Sequence, residues 1–345
     1  MNLQKITDTF FSPHTYELVS STALNEGHIN QTFLIDIKKK NLISENYILQ
    51  KINNSIFLNP EILMDNMAAV ADHLSEKKYP KTILHPIKNT ENKFLSYDED
   101  GKPWRLLPFV SNTICVLKIT HPQQAYEASK TFSEFYSFLF DIDFSKIETA
   151  VSGFLNFEKR ISDFKTAVSN ASNETKKTSE DELKFLISAI SLPDKFISLQ
   201  KQNILPVRII HADPKISNVL FDTVSGKGKC VIDLDTIMPG TLLYDYGDMV
   251  RSYTNNKNED DPTENNIFNK EIYDLLTKGF LSSIKDQLTS VEMDNLAYSA
   301  KVVIYIQALR FMTDYLNGNI YYKTNHPLQN FNRAKNQINL LRCLI

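Results

Sequence analysis

The chain contains 345 residues, of which 42% are hydrophobic and 11% aromatic, enough apolar side chains to fill two domain cores. Its 38 basic and 41 acidic residues give a net charge of -3 without a long basic block, so the composition disfavours a nucleic-acid partner. Because no apolar run is long enough to span a bilayer and the N-terminus has no signal-peptide pattern, we expect a cytoplasmic protein without a membrane partner. We also expect a monomer.

The first third of the chain is predicted to form an antiparallel sheet. Apolar runs typical of strands occupy residues 16–24, 31–37, 47–52, 93–97 and 104–110. One helix interrupts them: it begins near Pro60 and places Leu63, Met67, Val70 and Leu74 on one face. The only tryptophan, Trp104, is predicted to lie in the core of this sheet domain.

The rest of the chain has a mainly helical pattern. A long helix is predicted from Pro122, with an apolar face that includes Ala125, Phe132 and Leu139. Polar loops are predicted at 170–182 and 254–266, and further helices at 153–169, 179–203, 264–286, 292–317 and 327–343. The sequence therefore predicts an α+β protein with a sheet domain at 1–110 and a helical domain at 111–345.

Five polar side chains recur between the apolar runs of residues 207–251. His211 and Asp213 open a loop, and Asn218 follows Asp213 by five residues. Two short strands then predict a hairpin, after which come Asp233 and Asp235. The hairpin is predicted to bring Asn218 beside Asp233.

This spacing fits phosphoryl transfer from a nucleotide. That reaction needs a group to accept the proton of the attacking hydroxyl and oxygen ligands for Mg²⁺ on the phosphates. Asp213 suits the first role, and Asn218 with Asp233 suits the second. The alternative is that these side chains only cap turns around a hairpin.

Two segments carry a resemblance to a known superfamily. HADPKISN (211–218) and VIDLD (231–235) resemble the catalytic loop and metal-binding segment of the aminoglycoside phosphotransferase and choline kinase superfamily, which has a two-lobed protein-kinase-like fold. Within it, the chain is most similar to the N-acetylhexosamine 1-kinases, through EGHIN (26–30), LQKIN (49–53), VIDLDTIMPG (231–240), YDYGDMVR (244–251) and ALRFMTDYLNG (308–318). The resemblance implies ATP-dependent phosphorylation, with Mg²⁺, of the anomeric hydroxyl of N-acetylglucosamine or N-acetylgalactosamine.

The resemblance also implies where the nucleotide binds. The turn at residues 26–30 would fold over the phosphates, with Asn30 in contact with them. Gln50 stands where kinases usually carry a phosphate-binding lysine, and Lys51 would face the other side of the sheet unless a bulge recruits it. Pro108, Phe109 and Val110 would form the hinge whose backbone contacts the adenine.

The implied substrate contacts are His28, Asp235, Arg310 and Tyr321. Arg310 stands in an apolar helical run, where an unpaired guanidinium would be unfavourable. It therefore needs a ligand or an acidic partner, and an ion pair with Asp314 is the alternative to sugar contact.

Four acidic or basic groups near the motif are predicted to be structural. The resemblance implies that Asp245 braces the catalytic loop by accepting backbone hydrogen bonds. Asp248 and Arg251, three residues apart on one predicted helix, are expected to form an ion pair. His211 is expected to brace the loop rather than act as the base.

Two other functions remain compatible with the sequence. One is a kinase of another small alcohol, such as choline, an aminoglycoside or another sugar. The other is a catalytically inactive kinase-like binding module.

Overall fold

An antiparallel sheet dominates the N-terminal part of the computed structural model, which describes residues 2–24, 29–39 and 44–345. Within this five-stranded sheet each strand pair is antiparallel and the order is β1-β2-β3-β5-β4, which confirms the predicted sheet. The strands are β1 (Tyr16–Leu24), β2 (Gln31–Lys39), β3 (Ser44–Lys51), β4 (Ser96–Tyr97) and β5 (Pro103–Pro108).

The sheet has one apolar face, on which a helix outside the predicted set packs. This helix is α1 (Leu3–Phe10), and its Ile6 and Phe10 join a core formed by Ile35, Leu49 and Trp104. Trp104 is fully buried, as predicted. Alternation along the strands places these apolar side chains on one face and leaves their neighbours for polar contacts.

The helix α2 (Pro60–Glu76) confirms the predicted apolar stripe. Proline suits the first turn because its missing N–H would be unpaired there anyway. Leu63, Met67, Val70 and Leu74 are all buried.

The C-terminal part is mainly helical, which confirms the α+β class. Its helices are α3 (Pro122–Leu139), α4 (Phe157–Asn170), α5 (Asn173–Thr178), α6 (Glu180–Ser188), α7 (Asp194–Lys201), α8 (Leu242–Tyr253), α9 (Lys270–Ile284), α10 (Ser290–Leu316) and α11 (Gln329–Arg342). The short strands are β6 (Thr113–Cys115), β7 (Arg208–Ile210), β8 (Val219–Asp222), β9 (Gly228–Val231) and β10 (Met238–Gly240). None of the described helices is both long enough and apolar enough to cross a membrane.

Two local predictions in this part were wrong. The segment 170–182, predicted as a loop, contains α5 and the start of α6, and Ser172 caps α5 by accepting a hydrogen bond from the Thr175 N–H at 3.1 Å. The single helix predicted at 179–203 is interrupted before Asp194, where Pro193 provides no N–H for a continuous helix.

The chain divides into two compact units that interleave in sequence. The first comprises Met1–Cys115, Phe138–Ser152 and Val219–Pro239, and the second comprises Val116–Ser137, Gly153–Asn218 and Gly240–Ile345. The functional division at residues 110 and 111 stays a prediction.

Close packing of α8 on α10 organises the second unit. Gly247 permits it, because a Cβ at this position would lie 2.6 Å from Val303 Cγ2 and 2.9 Å from the Ser299 carbonyl oxygen. The two helices carry Asp245, Arg251 and Arg310. Their packing therefore positions residues predicted to surround the site.

Candidate active site

The loop that carries Asp213 is braced by a buried carboxylate, as predicted. Asp245 accepts hydrogen bonds from the N–H of His211 at 2.7 Å, the N–H of Ala212 at 3.0 Å and the hydroxyl of Tyr136 at 2.5 Å. Burial raises the pKa of Asp245 to about 7, and these hydrogen bonds oppose the rise. Ala212 has a φ of 63°, a conformation that is strained for alanine, so the brace holds the backbone just before Asp213.

Asp213 presents a carboxylate with contacts on two sides. Lys215 Nζ lies 2.9 Å from its Oδ2, and Asn218 Nδ2 donates to its carbonyl oxygen at 2.8 Å and to Oδ2 at 3.2 Å. Its side chain keeps 31% of its surface exposed, so a substrate hydroxyl can reach it. Burial raises the pKa of Asp213, but Lys215, then His211 and Arg251, outweigh this effect and hold it below its ordinary value.

The His211 side chain packs inside the loop and is not exposed to solvent. It is fully buried, with its ring centroid 5.2 Å from that of Phe132. Its Nδ1 accepts a hydrogen bond from the Asp213 N–H at 3.3 Å. These contacts support the predicted role as a brace.

Asn218 retains an oxygen suited to a hard cation. Its amide nitrogen donates both hydrogen bonds to Asp213, so the amide oxygen is left as the ligand atom for Mg²⁺.

The predicted hairpin is confirmed, because Val219 pairs with Val231. Asn218 directly precedes Val219, and Asp233 follows Val231 by two residues. Asp233 has a φ of 61° and begins a short 3₁₀ turn at Leu234–Thr236.

The donor set fits Mg²⁺ better than a soft metal. An amide oxygen and a carboxylate are hard ligands, and in kinases Mg²⁺ uses few protein ligands besides water and phosphate oxygens. Among the described residues, no three His, Cys, Asp or Glu side chains form a metal-binding group. Binding of a cation and nucleotide phosphates by Asn218 and Asp233 stays a prediction.

A buried polar network in the first unit occupies Gln50 and Asp235. Gln50 Nε2 donates to Thr32 Oγ1 at 2.9 Å, and its Oε1 accepts from Arg105 Nε at 2.9 Å. Arg105 also donates from Nη1 to Asp235 Oδ1 at 2.5 Å and from Nη2 to Oδ2 at 3.0 Å. Since Arg105 and Asp235 are 1% and 3% exposed, this bidentate pair fixes Asp235.

Asn30 extends this network to the start of β2. Its Nδ2 donates to Asp235 Oδ2 at 2.8 Å, and its Oδ1 accepts from the Asn53 N–H at 3.0 Å. The predicted phosphate contact of Asn30 stays a prediction. The predicted partner in this turn, His28, lies outside the described residues.

Lys51 lies on the opposite side of β3 from Gln50. The β3–β5 register is continuous, with Gln50 opposite Arg105 and Lys51 opposite Trp104, so no bulge recruits Lys51. Its Nζ lies 2.8 Å from Asp98 Oδ2 and 5.6 Å from the Trp104 ring centroid. The basic group in contact with Gln50 is therefore Arg105.

The predicted hinge follows the last long strand of the sheet. Pro108 ends β5, Phe109 is 38% exposed, and Val110 packs against Leu84 and Cys230. The Val110 carbonyl oxygen accepts from Thr113 Oγ1 at 2.7 Å. The contact of this backbone with adenine stays a prediction.

Arg310 has aromatic rather than acidic neighbours. Its guanidinium carbon lies 5.5 Å from the Phe154 ring centroid and 5.7 Å from that of Tyr322, and Nη1 donates to Gln307 Oε1 at 3.0 Å. Asp314 instead accepts from the N–H groups of Tyr321 and Tyr322 at 2.8 and 2.9 Å. The alternative ion pair of Arg310 with Asp314 is therefore not formed.

Tyr321 lies at the surface beside Tyr322, whereas the predicted Asp248–Arg251 pair is largely buried. Tyr321 is 64% exposed, with its ring centroid 4.8 Å from that of Tyr322. Arg251 Nε lies 2.6 Å from Asp248 Oδ1, which confirms the predicted ion pair. Sugar contact by Arg310 and Tyr321 stays a prediction.

Comparison with protein families agrees with this arrangement. The model of the phosphotransferase enzyme family matches residues 20–267, which include most of the sheet, the catalytic loop and the hairpin. The chain belongs to this family. Membership covers Asp213, Asn218 and Asp233, and it identifies the class of reaction without naming an acceptor.

Solved structures share the fold of this phosphotransferase at low sequence identity. An aminoglycoside phosphotransferase from Alicyclobacillus acidocaldarius is 12% identical over 100% of this chain and 95% of its own, with a TM-score of 0.66. A spectinomycin phosphotransferase in complex with ADP and spectinomycin is 12% identical over 95% and 94%, with a TM-score of 0.60. An ethanolamine kinase from Plasmodium vivax is 15% identical over 99% and 88%, with a TM-score of 0.59. These likenesses confirm the fold class.

Sequence reasoning missed two arginines near the candidate site residues. Arg105 lies within the apolar strand PWRLLP, and a charged side chain at a buried strand position is a signal for a buried partner. Arg160 on α4 gives no such signal, because it stands in a helix of mixed polarity, between Lys159 and Ile161.

Proposed function

We propose that this phosphotransferase transfers the γ-phosphoryl group of ATP to the anomeric hydroxyl of an N-acetylhexosamine, giving the sugar 1-phosphate and ADP. The observation that carries the proposal is the state of Asp213. Its carboxylate is partly exposed, its pKa is lowered, and its loop is held by Asp245. An ionised carboxylate held in this way can accept the proton of a hydroxyl at neutral pH.

The proposed reaction uses the catalytic groups in distinct roles. Asp213 orients the anomeric hydroxyl and accepts its proton as the sugar oxygen bonds to phosphorus and the bond to the ADP oxygen breaks. Asn218 and Asp233 are the proposed oxygen ligands for Mg²⁺, which, when bound with ATP, neutralises charge on the phosphates. Positioning and charge neutralisation supply most of the catalysis, because the transferring group is loosely bonded in the transition state.

Nucleotide binding is proposed for Asn30, Gln50 and the backbone of Pro108, Phe109 and Val110. Gln50 would act with Arg105, whose guanidinium it contacts at 2.9 Å. The similar spectinomycin phosphotransferase binds ADP, which supports a nucleotide as the donor.

The acceptor class is supported by the resemblance of five segments to N-acetylhexosamine 1-kinases and by the surroundings of Arg310. A guanidinium beside Phe154 and Tyr322 suits the carbonyl oxygen and the apolar face of an acetylated sugar. His28, Asp235 and Tyr321 are the other proposed contacts.

A kinase of amino alcohols is the second candidate, because the similar structures include an ethanolamine kinase. The charge of Arg310 favours the sugar over this candidate. A cationic amine near this guanidinium would be repelled, whereas a neutral acetamido group would accept a hydrogen bond from it.

The test is a screen of turnover with MgATP over N-acetylglucosamine, N-acetylgalactosamine, ethanolamine, choline and an aminoglycoside. We expect a free acetylhexosamine to be phosphorylated and to lose its reducing end. The methyl glycoside of the same sugar keeps every other hydroxyl, so it should not react. Phosphorylation of the methyl glycoside would place the transfer at another hydroxyl, and turnover of the amines alone would replace the proposal with the second candidate.

A further inference from the structure

Two arginines face one cavity in the second unit. The cavity has a volume of about 320 Å³ and is lined by residues of α4, of α10 and of the segment after α10. α4 provides Arg160, and α10 provides Arg310. Only Arg310 was singled out by the sequence.

Neither arginine forms an ion pair with a carboxylate among the described residues. Arg310 contacts Gln307 and two aromatic rings. Arg160 makes one long contact of 3.5 Å, from Nη2 to the Gly153 carbonyl oxygen, and its buried Nε has no hydrogen-bond partner in the described part of the chain. A buried N–H without a partner is unfavourable, so Arg160 has donor capacity that a ligand can use.

The carboxylates that line the cavity already have other partners. Both oxygens of Asp163 lie 2.9 Å from Lys159 Nζ. Asp314 accepts from the backbone of Tyr321 and Tyr322, and from Asn330 Nδ2 at 2.8 Å. Neither acid therefore neutralises the arginines by direct contact.

The two positive charges act on each other. Burial and then the charge of Arg310 lower the pKa of Arg160. Two guanidiniums near one cavity are stabilised when an anion lies between them, and the guanidinium fork matches a carboxylate or phosphate.

The cavity is connected to the loop of Asp213 through α8. The Phe154 ring lies 5.5 Å from the Arg310 guanidinium and 6.2 Å from the ring of Tyr244, which directly precedes the loop-bracing Asp245. Arg251 on α8 influences both places, since its charge acts on Asp213 and on Arg310. A molecule that presents its hydroxyl to Asp213 is therefore a suitable source of the anion.

We propose that Arg160 and Arg310 form a subsite for an acidic group, a carboxylate or a phosphate, carried by the acceptor away from its reacting hydroxyl. The proposal rests on the proposed function in taking the acceptor to be an acetylated amino sugar. It adds that an acidic derivative of this sugar binds better than the neutral one.

Binding is measured by calorimetry without nucleotide, so the test does not depend on turnover. The probes are N-acetylglucosamine, N-acetylmuramic acid with its lactyl carboxylate, the methyl ester of that acid, N-acetylglucosamine 6-phosphate and inorganic phosphate. We expect at least one acidic sugar to bind roughly tenfold or more tightly than its neutral counterpart, the magnitude of a charge-assisted hydrogen bond. The carboxylate and phosphate probes distinguish the two acidic groups.

Arg160→Gln should reduce the preference for the acidic sugar by roughly tenfold or more. The matched control is Arg342→Gln, because Arg342 is an exposed arginine on α11 that pairs with Glu264 at 3.3 Å, and it should keep the preference. Thermal unfolding of both variants checks their folding. If Arg160→Gln does not fold, the comparison of the acid with its methyl ester on the unchanged protein still decides the matter.

Equal binding of the acid and its ester, together with equal binding of N-acetylglucosamine and its 6-phosphate, would overturn the subsite. So would a preference that survives Arg160→Gln. Binding of inorganic phosphate without any preference among the sugars would overturn the assignment to the acceptor. Turnover of neutral N-acetylglucosamine is measured separately, so failure of the subsite is distinguishable from failure of the proposed function.

Discussion

Arg105 and Asp235 form a bidentate ion pair in which both side chains are almost completely buried. Arg105 also donates a hydrogen bond to Gln50, and Asp235 accepts one from Asn30, so the ion pair is part of a larger hydrogen-bond network. A buried charge that loses its partner destabilises the folded state far more than the loss of a surface pair.

Arg105→Met should therefore lower the free energy of unfolding by about 3–5 kcal/mol. Urea denaturation measures this change. The control Arg342→Met removes an exposed pair and should change stability by less than about 0.5 kcal/mol. The double variant Arg105→Met/Asp235→Leu should recover part of the loss; equal stability of the wild type and Arg105→Met would contradict the reading of this network.

The sheet and its helix were predictable because their periodicity is strong. Strands of alternating polarity end at Gly, Asn and Asp turns, and α2 shows an uninterrupted apolar stripe. In contrast, α1 and α5 are short and the sequence of α5 is polar, so their boundaries depend on caps and packing rather than on a pattern.

Part of the site was also predictable, because its residues are close in sequence. Asp213 and Asn218, which are in contact within the loop, belong to one local motif, whereas the contact of Lys215 with Asp213 was not predicted. The pairing of Arg105 with Asp235 joins residues 130 positions apart, and the pairing of Gln50 with Arg105 depends on strand register. A single sequence shows that a buried Arg105 needs a partner, but it does not identify which residue that partner is.

Asp213→Asn should reduce turnover by about 10²–10⁴-fold, because the amide cannot accept the proton of the hydroxyl. Nucleotide affinity should change little, since the side chain keeps its size. Steady-state kinetics and fluorescence binding of a nucleotide analogue measure the two effects. The control is Asp274→Asn on the exposed face of α9, which should keep full turnover; near-normal turnover of Asp213→Asn would remove its assignment as the base.

Removal of divalent cations with a chelator should abolish turnover, and added Mg²⁺ should restore it. Asp233→Asn is the sharper variant, because asparagine tolerates the positive φ of 61° while it removes the negative charge. We expect weaker binding of Mn²⁺ in the presence of ADP, measured by electron paramagnetic resonance. Activity in excess chelator, or unchanged Mn²⁺ binding by the variant, would exclude the metal role of Asp233.

The effect of Lys215 on the ionisation of Asp213 can be tested through the pH dependence of kcat/KM. Because the pKa of Asp213 is below its ordinary value of about 3.9, kcat/KM should be flat with respect to this group from about pH 5 to 8 and fall only at lower pH. Lys215→Met removes the positive charge at 2.9 Å that favours the carboxylate, while burial continues to favour the protonated acid. The pKa of Asp213 should therefore rise, and the acid limb should move to higher pH.

Lys215→Arg keeps the positive charge, so it serves as the matched control and should leave the acid limb nearer to that of the wild type. The position of the limb, rather than the maximum rate, is the quantity to compare, because either variant can also alter the geometry of the loop around Asp213. An acid limb that is the same in Lys215→Met as in the wild type would show that Lys215 does not control the ionisation of Asp213. An acid limb displaced equally in both variants would assign the effect to altered geometry rather than to charge.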